Sequence, residues 1–496
     1  MARIKRNKDH GAPSRKDANS ASGVRDGWVF GGLIALLLWA PLPLGSNRTF
    51  AMGILVAWVM VLLLGAVWAW RHQAEQAWQR LALFRWPLGA LGLFVLLVWF
   101  QTWELPVPWL QLISPETWRV QQGVAPPRIS LDVFQTRLYA ALSTGYFFAF
   151  IVVLLTVRDR ARLDRLAMAL VVAGVVQAVI GVMLFSAGAH YQVYFFEVIH
   201  DRVKGTFGYH NHFAGYMELC LSIGVGLMLA RLGHDGQQGS GWKHRVARMM
   251  QFVLSPKMRL RLLLVVMVIA LVLTRSRMGN AGFFAALLVV GLITLALTRR
   301  SAPAMVTLII SLIIVDVVVV GSWVGLDKVV HRVQETAVTN EAGGTEESIE
   351  ARQDAAMHAL DLARAFPWLG TGGGTFYTSY SRYRTPRPIY FDHAHNDYIE
   401  LACDYGLVGL GILGGFVLMT FGVAARTMAR RRTSLPRGIA FGVMMAITAL
   451  AIHSWVDFNL QLPANVLTLL VIMAMGWVAH ALPSGRHHSD DEGERA

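Results

Sequence analysis

The sequence predicts an all-α polytopic membrane protein of about twelve transmembrane helices with one large loop on a single face. Three observations carry that prediction. Of the 496 residues, 55% are hydrophobic and only 15% charged, whereas an ordinary soluble domain has about 25% charged residues. The apolar residues come in blocks of about 20, the length that crosses a hydrocarbon core of roughly 30 Å. Lys and Arg also alternate from one connection to the next, as they do across a bilayer. Together these exclude a soluble enzyme, a disordered chain and a disulfide scaffold. Both cysteines, Cys220 and Cys403, lie in apolar segments, so neither a disulfide framework nor a thiol metal site is expected.

The predicted spans run near 28–45, 50–70, 86–104, 137–157, 164–186, 212–231, 260–274, 278–298, 303–326, 398–425, 437–454 and 464–482. The seventh is short and leads at once into the eighth, so 260–298 reads as a tight helical hairpin. The first 26 residues are polar and basic, with Arg3, Lys5, Arg6, Lys8, Arg15, Lys16 and Arg25. The apolar run after them lacks a small-residue cleavage signature, which predicts an uncleaved first helix and no signal peptide. The chain thus divides into a basic cytoplasmic segment 1–26, nine helices in 27–326, a large loop 327–397 on the outer face, three helices in 398–482 and a cytoplasmic tail 483–496.

With the N-terminus in the cytoplasm, the segments on that side hold 30 of the 45 Lys and Arg. The bias holds loop by loop and puts both termini inside. The net charge of +14 is therefore a topology signal, and no nucleic-acid partner is expected. The lipid bilayer is the first partner. On the outer face, 346–366 in the large loop reads as a helix stopped by Pro367, followed by the turn Gly370-Thr371-Gly372-Gly373-Gly374. That glycine content predicts a flexible turn on which the loop could close.

Ionisable residues at the ends of membrane helices are costly and call for a functional hypothesis. Arg275 and Arg277 lie in the turn of the 260–298 hairpin. Their guanidinium groups suit fork-like bonding to phosphate oxygens, although snorkelling to lipid headgroups is an equal reading. The run from Arg202 through Lys204 to Asn211 and His212 brings cations and imidazoles to one helix start, a favourable anion site with Asn211 near the cap. Its plainer reading is an interfacial loop. Glu218, two turns further in, is expected to pair with one of these cations.

Before the tenth span stand Asp392, His393, His395, Asn396, Asp397 and Tyr398. A histidine can take a proton from a hydroxyl near neutral pH, and a neighbouring carboxylate fixes its tautomer. A metal site at His393 and His395 is a weaker reading, since no third ligand is implied, and capping by Asn396 or Asp397 is compatible with either. His453 and Asp457, in the turn between the last two spans, face the same side and could support the site or simply end helices.

These pieces together resemble the O-antigen ligase and polymerase superfamily. The match is carried by Lys204-Gly205-Thr206-Phe207-Gly208 with Asn211-His212 and by Thr274-Arg275-Ser276-Arg277-Met278-Gly279. It continues through Arg352, Pro367 to Phe376, His395-Asn396-Asp397-Tyr398 with Glu400, Gly406 and Gly409, and the turn from His453 to Pro463. It runs from about 200 to 463 in family order, while the first 190 residues resemble the family only as an apolar bundle. Met278 departs from the pattern, where relatives often have glycine, and Gly279 follows it.

The resemblance implies a C-type glycosyltransferase-like fold in the bacterial inner membrane. It also implies inverting transfer of a glycan from undecaprenyl diphosphate to an acceptor hydroxyl on the periplasmic face. The acceptor would be lipid A-core, a protein or a growing glycan. His395 is then the candidate general base, oriented by Asp392 or Asp397. Arg275 and Arg277, with Arg202, Lys204 and Arg352, would bind the diphosphate, and Asn211, His212, Tyr398, His453 and Asp457 would support the site. Arginines can stabilise a departing diphosphate in place of a metal, so neither metal nor cofactor is expected. A polymerase with the same chemistry is the alternative, with a slight lean to the ligase from the single dominant loop. A polytopic transporter is the rival from another class, disfavoured because no half-to-half repeat is visible. Asp316, in the ninth predicted span, has no assigned role.

Overall fold

The computed structural model describes residues 24–122, 126–188, 190–193, 196–199, 202–231, 256–297, 349–383 and 391–483. In chain order the helices are α1 Gly27–Trp39, α2 Thr49–Trp70, α3 Ala74–Ala82, α4 Arg85–Phe100, α5 Val107–Ile113, α6 Pro115–Gln121, α7 Val133–Thr156 and α8 Arg160–Ser186. They continue with α9 His210–Ala230, α10 Pro256–Leu273, α11 Arg277–Leu297, α12 Ile349–Ala365, α13 Phe376–Tyr380, α14 Asp397–Arg430, α15 Ser434–His453 and α16 Pro463–Ala481. The chain is an all-α polytopic membrane protein, and among the described residues eight helical segments are long and apolar enough to cross a bilayer. Helices fall on every predicted span except 303–326, which lies outside the described residues with Asp316, 327–348 and both chain ends.

Two details of the element order differ from the sequence reading. The segment after α8 carries a two-stranded antiparallel hairpin, His190–Val193 with Phe196–Ile199, in which His190 sits opposite Ile199. The first predicted span, 28–45, ends at Trp39, because Pro41 and Pro43 follow and neither can continue a helix. Its last residues instead form a turn, with Leu44, Gly45 and Ser46 all at positive φ.

The centre of the bundle is α9, whose residues are buried from Asn211 to Met228. A helix apolar on every side belongs in a core, and here its closest neighbour is α15. A Cβ on Gly226 would lie 2.3 Å from the Gly438 carbonyl oxygen, and one on Gly442 would lie 2.8 Å from that of Ser222. The two backbones touch, which is how small residues bind membrane helices where lipid removes the hydrophobic drive.

The ends of the bundle differ in character. At the lower end, Asp26 is buried and lies 2.7 Å from both Arg158 and Arg162. There Arg231 meets Asp164 at 3.0 Å, and the buried Arg80 donates to the Val157 carbonyl at 2.7 Å as well as to that of Leu154, closing the end of α7. The upper end is where α2, α9, α11, α14 and α16 begin.

At the upper end α14 is broken at Gly406 (φ 64°, ψ −173°). A break frees backbone groups that must find partners, and the Pro367–Gly374 turn supplies them. Leu407 N–H donates to the Pro367 carbonyl (2.8 Å) and Val408 N–H to that of Trp368 (3.1 Å). In return Thr371 N–H donates to Cys403 O (2.8 Å) and Gly372 N–H to Asp404 O (3.0 Å). Gln101 at the end of α4 adds bonds from its Nε2 to Leu369 O and Asp404 O and accepts from Gly373 N–H. The glycine turn, read from sequence as a flexible closing element, is a clamped wedge in α14.

Candidate active site

A cavity of about 270 Å³ opens at the upper end, with walls from four distant segments. Leu44, Asn47 and Arg48 come from the α1–α2 turn, and Gly208, Tyr209 and His212 from the start of α9. Asp392, His393 and His395 come from the loop before α14, and Phe458 and Leu462 from the α15–α16 turn. Each wall sits where a helix begins, because the helices descending through the bundle all start at this end.

The loop before α14 is held rigidly. Asn396 caps the helix by accepting from the N–H groups of Tyr398 and Ile399, and its Nδ2 donates to Trp455 O at 2.9 Å. The buried Asp397 carboxylate accepts from Ser454 Oγ at 2.6 Å and from Leu460 N–H at 3.0 Å. It therefore staples the loop to the α15–α16 turn. Asp397, one of the two carboxylates expected to orient His395, is engaged here by Ser454 and Leu460. Asp392 stands on the same cavity wall as His395.

His395 is buried and left-handed (φ 49°), with its ring edge-on to Phe391 and Phe458 at 5.5 and 5.0 Å. His393 stacks on the other part of Phe458 at 4.1 Å. Its Nδ1 lies 2.7 Å from Glu400 Oε1, while Glu400 Oε2 accepts from Ala394 N–H at 2.9 Å. Burial alone would lower the His393 pKa, but the Glu400 carboxylate outweighs it and pushes the imidazole up to about 9. His393 is thus a cation at neutral pH, and a poor base.

On the opposite wall, Asn211 Nδ2 donates to Asp457 and to the Tyr209 hydroxyl, and does not cap α9. Asp457 also accepts from Phe458 N–H at 2.9 Å, setting the ring that touches three histidines. His212 Nε2 is 3.9 Å from Asp457 Oδ1. One layer deeper, Glu218 pairs with His453 (Nδ1–Oε1 3.1 Å), both fully buried. That replaces the expected partnership of Glu218 with a cation of the 202–212 run, since the α15 terminus lies against that side of α9.

Of the predicted cations, Arg202, Lys204, Arg275 and Arg277 do not line the cavity. Arg275 and Arg277 are exposed on the α10–α11 turn, which is tied to the segment before α9 by Val203 N–H donating to Leu273 O (3.2 Å). Arg202 Nη1 lies 3.3 Å from His210 Nε2, and Lys204 is buried. Arg352 is on α12, and its side chain is outside the described residues. Tyr398 turns away, its hydroxyl donating to Ala451 O at 2.7 Å. Among the described residues, no three His, Cys, Asp or Glu side chains are grouped as a metal site would require.

Sequence reasoning missed Arg48, Tyr209, Phe458 and the His393–Glu400 pair as site features. The signal for Arg48 was the Pro41, Pro43, Gly45 series, which ends the first span early. Backbone strain marks the same region independently. Among the described residues, the non-glycine positions at positive φ are Leu44, Ser46, Arg275 and His395, all at the upper end, and such conformations persist where function needs them.

Residues 262–414 match a family described as O-antigen ligase. The matched stretch contains Arg275, Arg277, Asp392, His395 and Glu400, while the remaining cavity walls come from outside it. No curated protein matches the chain.

Proposed function

We propose that this chain, a multi-pass membrane protein of the O-antigen ligase and polymerase superfamily through its residues 262–414, transfers a glycan from undecaprenyl diphosphate to an acceptor hydroxyl. The observation that carries this reading is His395, buried on the wall of a cavity that Arg48, His212, Asp392 and His393 also line and on which several helix N-termini open. Helix N-termini favour anions, as a diphosphate donor requires. His395 takes the proton of the acceptor hydroxyl as that oxygen bonds to the anomeric carbon. The bond from that carbon to the diphosphate breaks, its electron pair leaving with the phosphate oxygen, and the configuration inverts. Asp392, beside His395, is the carboxylate suited to orient it, and Asp397 holds the loop.

Arg275 and Arg277, with Arg202, Lys204 and Arg352, capture the lipid diphosphate as it approaches from the bilayer. Asn211, His212, His453 and Asp457 keep the walls in place. Arginine-rich connections at the lower end support a cytoplasmic location for that end and a periplasmic one for the cavity. Ligase-type transfer, onto lipid A-core or a protein, is the preferred reading, in keeping with the single large loop.

The test is turnover of a glycan on undecaprenyl diphosphate by purified protein in liposomes. His395→Ala is expected to lower turnover about 100-fold or more, the usual worth of a general base. Full activity in that variant would remove the base assignment. Loss of affinity for the lipid diphosphate in Arg275→Ala and Arg277→Ala supports their role in capturing it, and activity surviving exhaustive chelation supports a metal-independent reaction. Deletion of the gene distinguishes the acceptor: a lost ligase strands long glycans on the carrier, whereas a lost polymerase leaves single repeat units.

A further inference from the structure

The cavity wall holds a cation that the family match does not include. Arg48 lies at the start of α2, next to Asn47, and both line the cavity with His395. The turn that presents it is costly: Leu44, Gly45 and Ser46 have φ of 54°, 68° and 59°, three successive residues in a region that side chains avoid. Packing enforces the turn. Ser46 Oγ donates to Ala40 O at 2.6 Å, Thr206 Oγ1 donates to Pro41 O at 2.7 Å, and a Cβ on Gly45 would meet the Phe207 ring at 2.8 Å.

A second observation points to a ligand in the same place. His212 is 5% exposed and lines the cavity, and its Nε2 has no hydrogen-bond partner among the described residues. A buried polar atom left in that state calls for an explanation, and a bound acceptor or donor atom supplies one. The N-termini of α2, α9 and α16 open on the same cavity, since their N-cap residues Arg48, Tyr209 and Leu462 all line it.

Reaction geometry limits which cations can reach the leaving group. The attacking oxygen approaches the anomeric carbon to about 3 Å, and the leaving oxygen is bonded on that carbon's far side. The departing phosphate therefore lies one sugar-ring atom away from the hydroxyl that His395 serves, inside the cavity. Arg48, Arg275 and Arg277 are all solvent-exposed, but only Arg48 lines this cavity, which suits the other two to capture rather than departure.

We propose that Arg48, with His212 Nε2 as its polar companion, binds the phosphate nearest the transferred sugar and holds the leaving group opposite His395. This assignment rests on the donor class proposed above.

The test measures binding of undecaprenyl diphosphate, without glycan, to the full-length protein in lipid nanodiscs, with uncharged undecaprenol as comparator. Arg48→Gln is expected to weaken undecaprenyl diphosphate binding at least tenfold while leaving undecaprenol binding unchanged. Arg48→Lys should lose less, and Gly45→Ala, which displaces the turn, should reproduce the loss. Arg364→Gln, an exposed position on α12, serves as the charge control and should bind as wild type. Wild-type affinity in Arg48→Gln overturns the Arg48 assignment alone. Equal loss of both lipids in Arg48→Gln also overturns it, because the defect is then in the lipid cleft. Wild-type protein that fails to prefer the diphosphate over undecaprenol removes the donor class, and Arg48's role falls with it.

Discussion

Glu400 holds the Nδ1 of His393 at 2.7 Å and the Ala394 N–H at 2.9 Å with its two oxygens, so one carboxylate sets both the charge and the backbone of the cavity loop. With the imidazole pushed up to about 9, the bond contributes stability that is complete below the ordinary histidine value of about 6.5 and is lost as pH rises through 9. Thermal unfolding in detergent is expected to show that loss between pH 7 and 10. Glu400→Gln should lower stability at pH 7 by an amount on the order of 2 kcal/mol and flatten the profile. An unchanged alkaline limb in Glu400→Gln would rule out this pair as its source.

His395 and Arg275 share a left-handed backbone, at φ 49° and 56°. Glycine adopts that conformation without a Cβ penalty, so Arg275→Gly, which removes an exposed side chain, should unfold at higher temperature, a gain of about 0.5–1 kcal/mol. His395→Gly should gain less, because it also deletes a buried ring packed on Phe391 and Phe458. Each should also lose transfer, the Arg275 variant through donor affinity and the His395 variant through turnover. A stability gain together with lost function identifies strain kept for chemistry. Variants less stable than wild type would show that these side chains hold the turns themselves.

The spans were legible because a hydrocarbon core demands long apolar runs, whatever the helices pack against. The break at Gly406 was not, since the flanking residues Tyr405, Leu407 and Val408 read as one continuous apolar helix. Only the Pro367–Gly374 turn, which accepts and donates the freed backbone bonds, makes the break stable. Likewise His395 and the arginine pair stood out as costly polar groups near membrane helices, but Arg48 did not, because it was hidden behind a span that ends six residues earlier than its hydropathy suggests. The partners of Glu218 and Glu400 depended on which helices meet, information that lies in three dimensions.

Gly406 should be the most sensitive glycine outside the cavity. A Cβ there would lie 2.2 Å from the Trp368 carbonyl oxygen, on a backbone at φ 64°. Gly406→Ala must push the wedge out of α14, leaving N–H and carbonyl groups without partners, each costing about 1–3 kcal/mol. Limited proteolysis is expected to cut the 367–374 turn in this variant and not in wild type. Equal resistance would show that the wedge tolerates displacement.

Glu218 and His453 bridge α9 and α15 at 3.1 Å with no exposure to solvent. A buried ion pair adds little net stability, but removing one member leaves the other uncompensated, at about 3–5 kcal/mol. Glu218→Met and His453→Leu should therefore each destabilise strongly, whereas the double variant should recover most of the loss. The cycle reads the coupling directly in thermal unfolding. Additive losses would mean that the two groups act separately. Because His453 ends the helix from which the Asp457–Phe458 turn departs, the single variants should also loosen the ring that touches His212, His393 and His395. Donor turnover should then fall further than stability alone explains, and the double variant, with α15 packed again, should regain part of it.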